Sequence, residues 1–384
     1  MRITAVEPLV LGTSWRNIVF IKVKTDEGLY GIGECTIQNR EEGVLGYLQG
    51  AARRHVIGSD PFNIEDLWMR MYRNDFWRNG VIATSVMSAV EIACWDIIGK
   101  AAGQPVYKLL GGRCHEKIKA YANAWYTVER KPEEFAKRVK VVLDKGYKAL
   151  KVDPFGPGSL EMTREEKIRS VSLVEAIRGA VGPNVEIFVE MHGRFSAATA
   201  IELARMLEPF NPGWIEEPCP PEDIPSLKKV AEHVNLPIAT GERYFTRYGF
   251  REPIETGAPD IIQADIIHAG GLLEMKKIAA MADVRSMVMA PHNSNGPVCT
   301  TASVHFDFCT TNFKVQECFD DFSETWVRDA VPGCPVPRDG YFYPPEKPGL
   351  GIDINEDVIK EHPYKEGFFN LFADDWHLRS FGKQ

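Results

Sequence analysis

From about residue 117 onward, short apolar runs alternate with amphipathic segments along the chain. The runs have apolar residues at successive positions, which is typical of strands covered on both faces. They predict eight strands, of which the last six recur at roughly 25-residue intervals. The eight predicted strands are Ile118–Ala122, Ala149–Val152, Val185–Val189, Trp214–Ile215, Pro237–Ala239, Ile261–Gln263, Met287–Ala290 and Lys314–Gln316.

The segments between these strands carry helix signals. Pro132 can begin a helix that ends at Gly146. Thr163 and Glu166 form a capping box ahead of an apolar stripe, and Ser196 can cap the next helix. Strand–helix units repeated eight times predict an α/β fold, a (β/α)8 TIM-type barrel, with a doubly wound sheet as the alternative. No glycine-rich phosphate motif follows a strand, which counts against nucleotide binding.

The first part of the chain has a different pattern and is predicted to be an α+β N-terminal capping domain. Ile18–Thr25 and Gly28–Glu34 indicate a hairpin, and Thr84–Lys100 indicates a helix. The C-terminal tail is rich in aromatic residues and is expected to pack on the capping domain and complete it. The predicted capping domain, barrel and tail are residues 1–115, 116–360 and 361–384.

Composition and charge narrow the class of protein. The chain has 384 residues, 44% of them hydrophobic, and a formal net charge of −8, which disfavours nucleic acid and anionic membranes as partners. No signal segment and no uncharged run of membrane-spanning length was recognised, so we expect a cytoplasmic protein. The eight cysteines are scattered and are expected to be reduced. A homo-oligomer is expected.

Carboxylates follow three adjacent strands of the predicted barrel. Glu190, Glu216 and Glu242 are 26 residues apart each time, so equivalent turns present an acid at the carboxyl end of each strand. Three converging carboxylates repel one another unless a cation compensates their charge. All-oxygen ligands favour Mg²⁺, or Mn²⁺, over zinc. The spacing therefore predicts one divalent cation, held by these three glutamates.

Two histidines follow strands on either side of this cluster. His292 and Asp265 come after the seventh and sixth strands, and a carboxylate that accepts a hydrogen bond from an imidazole raises its pKa, which suits a general base. His192 is two residues past Glu190, so both side chains share one face and can reach one ligand.

Several short motifs carry a family resemblance: Ala93–Lys100, Leu109–Gly112, Trp214–Pro218, Gly241–Glu242, Gln263–Asp265 with Gly270–Gly271, Pro291–Asn293 and Gln316–Glu317. Together they resemble the enolase superfamily, mandelate racemase branch, over nearly the whole chain. The resemblance implies that the three glutamates bind the metal, that His292 and Asp265 form the base dyad, and that Glu317, in its protonated form, polarises the substrate.

The sequence departs from the racemases after the second strand, where Asp153 replaces a second lysine. Instead, the segment from Glu190 to Phe195 resembles the acid–x–His–Gly–Arg segment of galactonate and gluconate dehydratases. The resemblance implies a sugar-acid substrate, with contacts expected from four residues, Lys151, Asp153, Arg194 and Trp77. Lys151 is alternatively an ordinary strand-end lysine, and Trp77 alternatively packs between the domains.

These parts imply a reaction. Dehydration of an aldonate such as galactonate or gluconate is expected, with His292 taking the C2 proton and His192 protonating the departing C3 hydroxyl. No redox cofactor is required. The alternatives are a racemase, epimerase or cycloisomerase using the same enediolate, and a non-catalytic sugar-acid-binding barrel. Specificity is expected from three capping-domain loops, Gly12–Asn17, Ile37–Arg40 and Asn74–Asn79.

Overall fold

The computed structural model describes residues 1–78 and 80–381, and the capping domain opens with an antiparallel sheet. Strands β1 (Ile3–Gly12), β2 (Asn17–Thr25) and β3 (Tyr30–Glu34) pair in that order. The predicted hairpin is confirmed as β2 and β3. Strand β1 was not predicted, because Glu7 and Pro8 interrupt its apolar run; proline is tolerated there because β1 is an edge strand.

The helices of the capping domain cover one face of this sheet. The long helix packs on β3 so closely that a Cβ added at Gly31 or Gly33 would meet the carbonyl oxygen of Ala93 or Ala89. Among the described residues, this helix alone is long and apolar enough to cross a membrane, yet 72% of its most apolar window is buried. It is therefore a core helix of the capping domain. The helices are α1 (Glu41–Ala51, continued by a π-helical turn at Ala52–Val56), α2 (Ile64–Arg73), α3 (Val81–Ala102) and α4 (Val106–Leu109).

The predicted barrel is confirmed. The first seven of its eight parallel strands pair side by side in chain order, and the eighth pairs with the first. Met289 closes the ring by accepting a hydrogen bond from the N–H of Lys314 and donating one to the carbonyl of Asn312, each at 2.8 Å. The strands are β4 (Ile118–Ala122), β5 (Ala149–Val152), β6 (Glu186–Glu190), β7 (Trp214–Glu216), β8 (Ile238–Thr240), β9 (Ile261–Ile262), β10 (Val288–Met289) and β11 (Gln316–Cys318), with antiparallel β12 (Tyr341–Phe342) beside β4.

Helices connect these strands as the caps predict. The side chain of Thr163 accepts a hydrogen bond from the N–H of Glu166, and Ser196 caps its helix in the same way. The single helix predicted from Pro132 to Gly146 is divided into two at Val139. The helices are α5 (Pro132–Arg138), α6 (Lys140–Asp144), α7 (Arg164–Val181), α8 (Ala197–Leu207), α9 (Ile224–Ala231), α10 (Thr246–Thr256), α11 (Ile266–Ala269), α12 (Leu272–Val284), α13 (Pro297–Phe308), α14 (Thr325–Asp329) and α15 (Glu356–Glu361).

The C-terminal tail lies against loops of the capping domain. Asn17 pairs with the backbone of Lys365 through two hydrogen bonds, and Asn39 pairs with the backbone of Phe369 in the same manner. Contact with the capping domain begins before the predicted boundary at residue 361, since Leu350 already donates its N–H to Asp96 of α3. These hydrogen bonds attach the tail to loops of the capping domain.

Candidate active site

A cavity of about 450 Å³ opens at the carboxyl ends of the barrel strands. Loops of the capping domain and the C-terminal tail form its outer wall. Its volume is in the range of small-molecule sites. Four of the predicted site residues line it, namely Lys151, His192, Glu242 and His292.

The three predicted metal ligands converge at the floor of the cavity. One carboxylate oxygen each of Glu190, Glu216 and Glu242 lies within 4.8 Å of the other two. Strand pairing sets this geometry, because Glu190 and Glu216 are direct partners in β6 and β7. Oε2 of Glu190 is buried and has no hydrogen-bond partner. Burial and the charge of Glu216 raise the pKa of Glu190 well above its usual range. A cluster of oxygen donors with an unsatisfied buried oxygen fits a hard divalent cation.

Lys151 lies at the centre of the acidic cluster. Its ammonium is 2.6 Å from Glu216, 3.0 Å from Glu317 and 3.4 Å from Glu190. Burial alone would lower the pKa of Lys151, but the surrounding carboxylates raise it well above its ordinary value. Burial would raise the pKa of Glu216, but the Lys151 ammonium, together with the polar side chains of Glu190 and Gln263, lowers it to about 2. A side chain only 3% exposed with three acidic partners is a charge-balancing lysine rather than a solvated one.

The His292–Asp265 pair has the geometry of an oriented base. Nδ1 of His292 is 2.7 Å from Oδ2 of Asp265, and the Asn295 amide donates to the same oxygen at 2.7 Å. The other ring nitrogen, Nε2, is 3.1 Å from Glu242. Burial lowers the pKa of His292, but Glu242, Glu317 and Asp265 together raise it to about 10. The imidazole therefore has a strong affinity for a proton at the edge of the metal site.

Glu317 lies behind the cavity wall instead of in it. Oε1 accepts hydrogen bonds from the Asn123 amide and Lys151, at 2.7 and 3.0 Å, and Oε2 accepts one from the N–H of Asn293 at 2.8 Å. These contacts favour a role of Glu317 in positioning Lys151 and Asn123.

His192 is held by a pair of residues that were expected to bind substrate. Nδ1 of His192 is 2.5 Å from Oδ2 of Asp153, which also accepts a hydrogen bond from Arg194. Arg194 donates further to the carbonyl oxygens of Met191 and Gly156 and is 6% exposed. Burial raises the pKa of Asp153, but Arg194 and His192 lower it below its ordinary value. Nη2 of Arg194 is also 3.0 Å from Nδ1 of His192, so Asp153 and Arg194 orient this imidazole and leave Nε2 for a ligand.

Trp77 is not in the cavity wall. Its side chain is 83% exposed and packs edge-on against Phe76 in the loop after α2. Of the three loops expected to set specificity, Gly12–Asn17 and Ile37–Arg40 reach the cavity through Trp15, Arg16, Ile37 and Gln38. Asn79, at the end of the third loop, lies outside the described residues.

The sequence interpretation missed several cavity residues. Asn123 follows the first barrel strand and could have been found by the strand-end rule that found the others. Trp376 packs edge-on against His192, with 5.5 Å between ring centroids. Arg379 also lines the cavity. Trp376 and Arg379 come from the C-terminal tail, where no periodic pattern identifies inward-facing side chains.

Family models match both parts of the chain. Residues 5–111 match the N-terminal domain of mandelate racemase and muconate lactonizing enzyme, and residues 134–358 match the enolase C-terminal domain-like family. Solved structures have the same fold. A mandelate racemase/muconate lactonizing enzyme from Jannaschia sp. CCS1 superposes with a TM-score of 0.89 at 33% identity, covering 96% of this chain and 99% of that one. Another, from Sulfitobacter sp., superposes with a TM-score of 0.90 at 32% sequence identity, covering 95% of this chain and 96% of that one.

Characterised relatives act on acid sugars. The D-gluconate/D-galactonate dehydratase of Picrophilus torridus is 37% identical over 94% of this chain and 92% of its own. The D-galactonate dehydratase of Pectobacterium atrosepticum is 36% identical, covering 94% of each chain. The D-mannonate dehydratase of Caulobacter vibrioides is 34% identical, covering 92% of this chain and 93% of its own. The chain therefore belongs to the mandelate racemase and muconate lactonizing enzyme branch of the enolase superfamily, within its acid-sugar dehydratase family of hydro-lyases.

Proposed function

We propose that this enzyme removes water from an aldonate, such as galactonate or gluconate, in a Mg²⁺-dependent reaction that yields a 2-keto-3-deoxy acid. The observation that carries the proposal is the placement of two oriented imidazoles beside one carboxylate cluster. His192 follows β6 and His292 follows β10, so the strand order places them on opposite sides of Glu216 in β7. Both line the same cavity. One imidazole can take a proton while the other gives one.

Proton removal is assigned to His292. Its Nδ1 is bound to Asp265, so Nε2 is the atom that takes the C2 proton. Glu190, Glu216 and Glu242 would hold the cation, which when bound would chelate the substrate carboxylate and stabilise the charge that develops there. Lys151 supplies a fixed positive charge beside the same carboxylates and remains protonated throughout.

Proton delivery is assigned to His192. Hydroxide is a poor leaving group near neutral pH, so loss of the C3 hydroxyl needs a proton donor. Asp153 accepts a hydrogen bond from the Nδ1–H of His192 and thereby fixes the tautomer of the ring. Nε2 is then the atom that gives a proton to the leaving oxygen. The enol formed by elimination tautomerises to the 2-keto acid. The 2-keto-3-deoxy acid and one molecule of water together contain all the atoms of the aldonate, so the reaction is balanced.

The second candidate is a racemase or epimerase on the same site. It is favoured by the same two imidazoles, because a base on each face of C2 exchanges configuration without loss of oxygen. The two reactions differ in product: dehydration gives a 2-keto-3-deoxy acid, whereas epimerisation leaves every hydroxyl in place.

Three further expectations from the sequence stay predictions. They are homo-oligomerisation, cytoplasmic location and contact of Trp77 with the substrate.

The test is a screen of aldonates with the Mg²⁺-loaded enzyme, followed by proton NMR in D₂O. We expect a 2-keto-3-deoxy product, no turnover after metal removal by EDTA, and recovery when Mg²⁺ is restored. Glu216→Gln should lose Mg²⁺ binding, measured by calorimetry, while its circular dichroism is unchanged. His292→Asn should lose both turnover and C2–H exchange. Full activity of the metal-free enzyme, or an epimer as the product, would reject the proposal.

A further inference from the structure

Two arginines line the cavity from outside the barrel. Arg16 lies in the loop between β1 and β2 and is 4% exposed, and Arg379 lies in the C-terminal tail. Both guanidinium groups lie over the same two rings. Arg16 is 4.5 Å from the ring centre of Trp15 and 5.0 Å from that of Phe319, and Arg379 is 5.8 and 4.5 Å from them. We call Arg16 and Arg379 the arginine pair.

The arginine pair lacks an acidic partner. Arg16 donates to the carbonyl oxygens of Ser294 and Asn295, and no carboxylate of the described residues is within ion-pairing distance of either guanidinium. Arg243, also in the cavity wall, differs, because its Nε and Nη2 both bind Glu217. Burial, opposed by Glu34 and reinforced by the charge of Arg379, lowers the pKa of Arg16 to about 10. Two cations close together at a buried wall indicate an anion that is bound there in the working enzyme.

The polar groups nearby favour an anion over a hydroxyl. Guanidinium groups only donate hydrogen bonds, whereas a sugar hydroxyl both donates and accepts. Asn123, also in the cavity wall, directs its amide N–H at Glu317 and its carbonyl oxygen at the N–H of Ala124. Carboxylate and phosphate groups accept from guanidinium forks in two parallel hydrogen bonds. The wall therefore matches an end group that accepts and does not donate.

We propose that the arginine pair binds a second anionic group of the substrate. The preferred substrate is then an acid sugar with a carboxylate or a phosphate at the end remote from the reacting carboxylate, such as an aldarate or a phosphorylated aldonate. The inference rests on the proposed dehydration and goes beyond it in substrate class, since the relatives described above are named for aldonates with one carboxylate.

Matched substrates test the inference by kinetics. Gluconate is compared with glucarate and 6-phosphogluconate, and galactonate with galactarate, all with Mg²⁺. We expect kcat/KM for at least one dianion to exceed that for its matched aldonate by tenfold or more, and the preferred end group then distinguishes carboxylate from phosphate. Arg379→Gln should lower the dianion-to-aldonate ratio by roughly 10–100-fold. Arg379→Lys retains the positive charge but loses the planar guanidinium, so it should lower the dianion-to-aldonate ratio less than Arg379→Gln does.

Arg164→Gln is the control, because Arg164 is 71% exposed on α7, away from the cavity. It should leave the ratio unchanged, and Arg16→Gln should repeat the effect of Arg379→Gln if the latter fails to fold. A wild-type enzyme that prefers the aldonate of every pair, or a ratio unmoved in the folded arginine variants, overturns the inference.

Calorimetric binding separates this inference from the proposed reaction. Tighter binding of a dianion that is lost in Arg379→Gln supports the arginine pair even where no substrate loses water, and then only the proposed dehydration fails. If the enzyme turns over an aldonate but binds the aldonate and the dianion of each pair equally, the proposed dehydration stands. The proposed binding of a second anionic group by the arginine pair is then rejected.

Discussion

His192, two residues past the end of β6, has a left-handed backbone conformation, with φ at 48°. Ala124 after β4 and Glu217 after β7 share this conformation, with φ at 68° and 40°. A residue other than glycine costs about 1–3 kcal/mol there and is found where the surrounding structure enforces it. All three follow the carboxyl ends of barrel strands, and His192 lines the cavity. The turn at His192 brings its N–H to Oε1 of Glu190 at 2.6 Å, which places the imidazole beside the metal site.

The role of His192 can be measured separately from that of His292. His192→Asn should lower net dehydration by about 10²–10⁴-fold, the effect expected of a positioned general acid. C2–H exchange should persist in part, because His292 and Asp265 are intact. A proton NMR time course in D₂O measures both rates. Equal loss of exchange and elimination would contradict the acid role, and unchanged elimination would remove His192 from the mechanism.

Trp214 positions a metal ligand. Its indole N–H donates to Oε2 of Glu216 at 2.9 Å, and its ring stacks on Phe188 with centroids 3.4 Å apart. Trp214→Phe removes the hydrogen bond and keeps most of the ring, so Mg²⁺ affinity measured by calorimetry should fall by about 10–100-fold. Trp95→Phe is the control, since that indole donates to Glu91 away from the cavity. Equal affinities in the two variants would show that the indole is dispensable.

Single residues were predictable where a local rule selects them. The strand-end rule found Glu190, Glu216, Glu242, Asp265 and His292, because a parallel barrel brings every carboxyl end to one rim. The rule does not say whether a side chain faces the ligand or another side chain. Asp153 satisfies it and yet binds His192, and that difference depends on distances that a sequence does not encode.

At the scale of elements, the strands were predictable and their exact ends were less so. β4 and β5 have the predicted bounds. β6, β7, β8 and β11 end one or two residues later than predicted, whereas β9 and β10 are shorter than predicted. Glu190 and Glu216 are themselves the last residues of β6 and β7. A catalytic strand end is polar for a chemical reason, so an apolar pattern ends before the strand does.

The helix caps give a test of stability at this scale. Thr163 closes the first turn of α7 by accepting the N–H of Glu166 at 3.2 Å. Thr163→Ala should lower the free energy of unfolding by about 1 kcal/mol, because that N–H loses its partner. Thr163→Ser keeps the hydroxyl and should cost little. Urea denaturation followed by circular dichroism measures both, and equal stability of the two variants would contradict a capping role.

At the scale of the whole molecule, the cavity requires segments from both ends of the chain. Trp15 and Arg16 come from the capping domain, and Trp376 and Arg379 come from the tail. The tail was expected on the capping domain from its aromatic content, and the hydrogen bonds of Asn17 and Asn39 place it there. Its further contact with His192 was not predictable, because residues so distant in sequence share no local periodicity.

A substitution at Trp376 tests whether the C-terminal tail contributes to the active site. Its ring contacts His192 and Tyr126, and it is 5% exposed. Trp376→Ala should lower kcat/KM for the best sugar acid by about 10²-fold, because the imidazole loses the surface that fixes it. Leu378→Ala, at a position that is 44% exposed, is the matched control. Similar kcat/KM values for the two variants would show that the tail covers the site without contributing to it.

The position of the tail also has a consequence for biosynthesis. Ribosomes deliver a chain from its first residue to its last, and the barrel strands are complete once residue 318 has emerged. Trp376, which packs on His192, is still missing at that stage because it is translated after the last barrel strand. A nascent chain whose barrel strands have all emerged therefore still lacks part of the cavity wall. The imidazole gains this contact only after the tail has been translated.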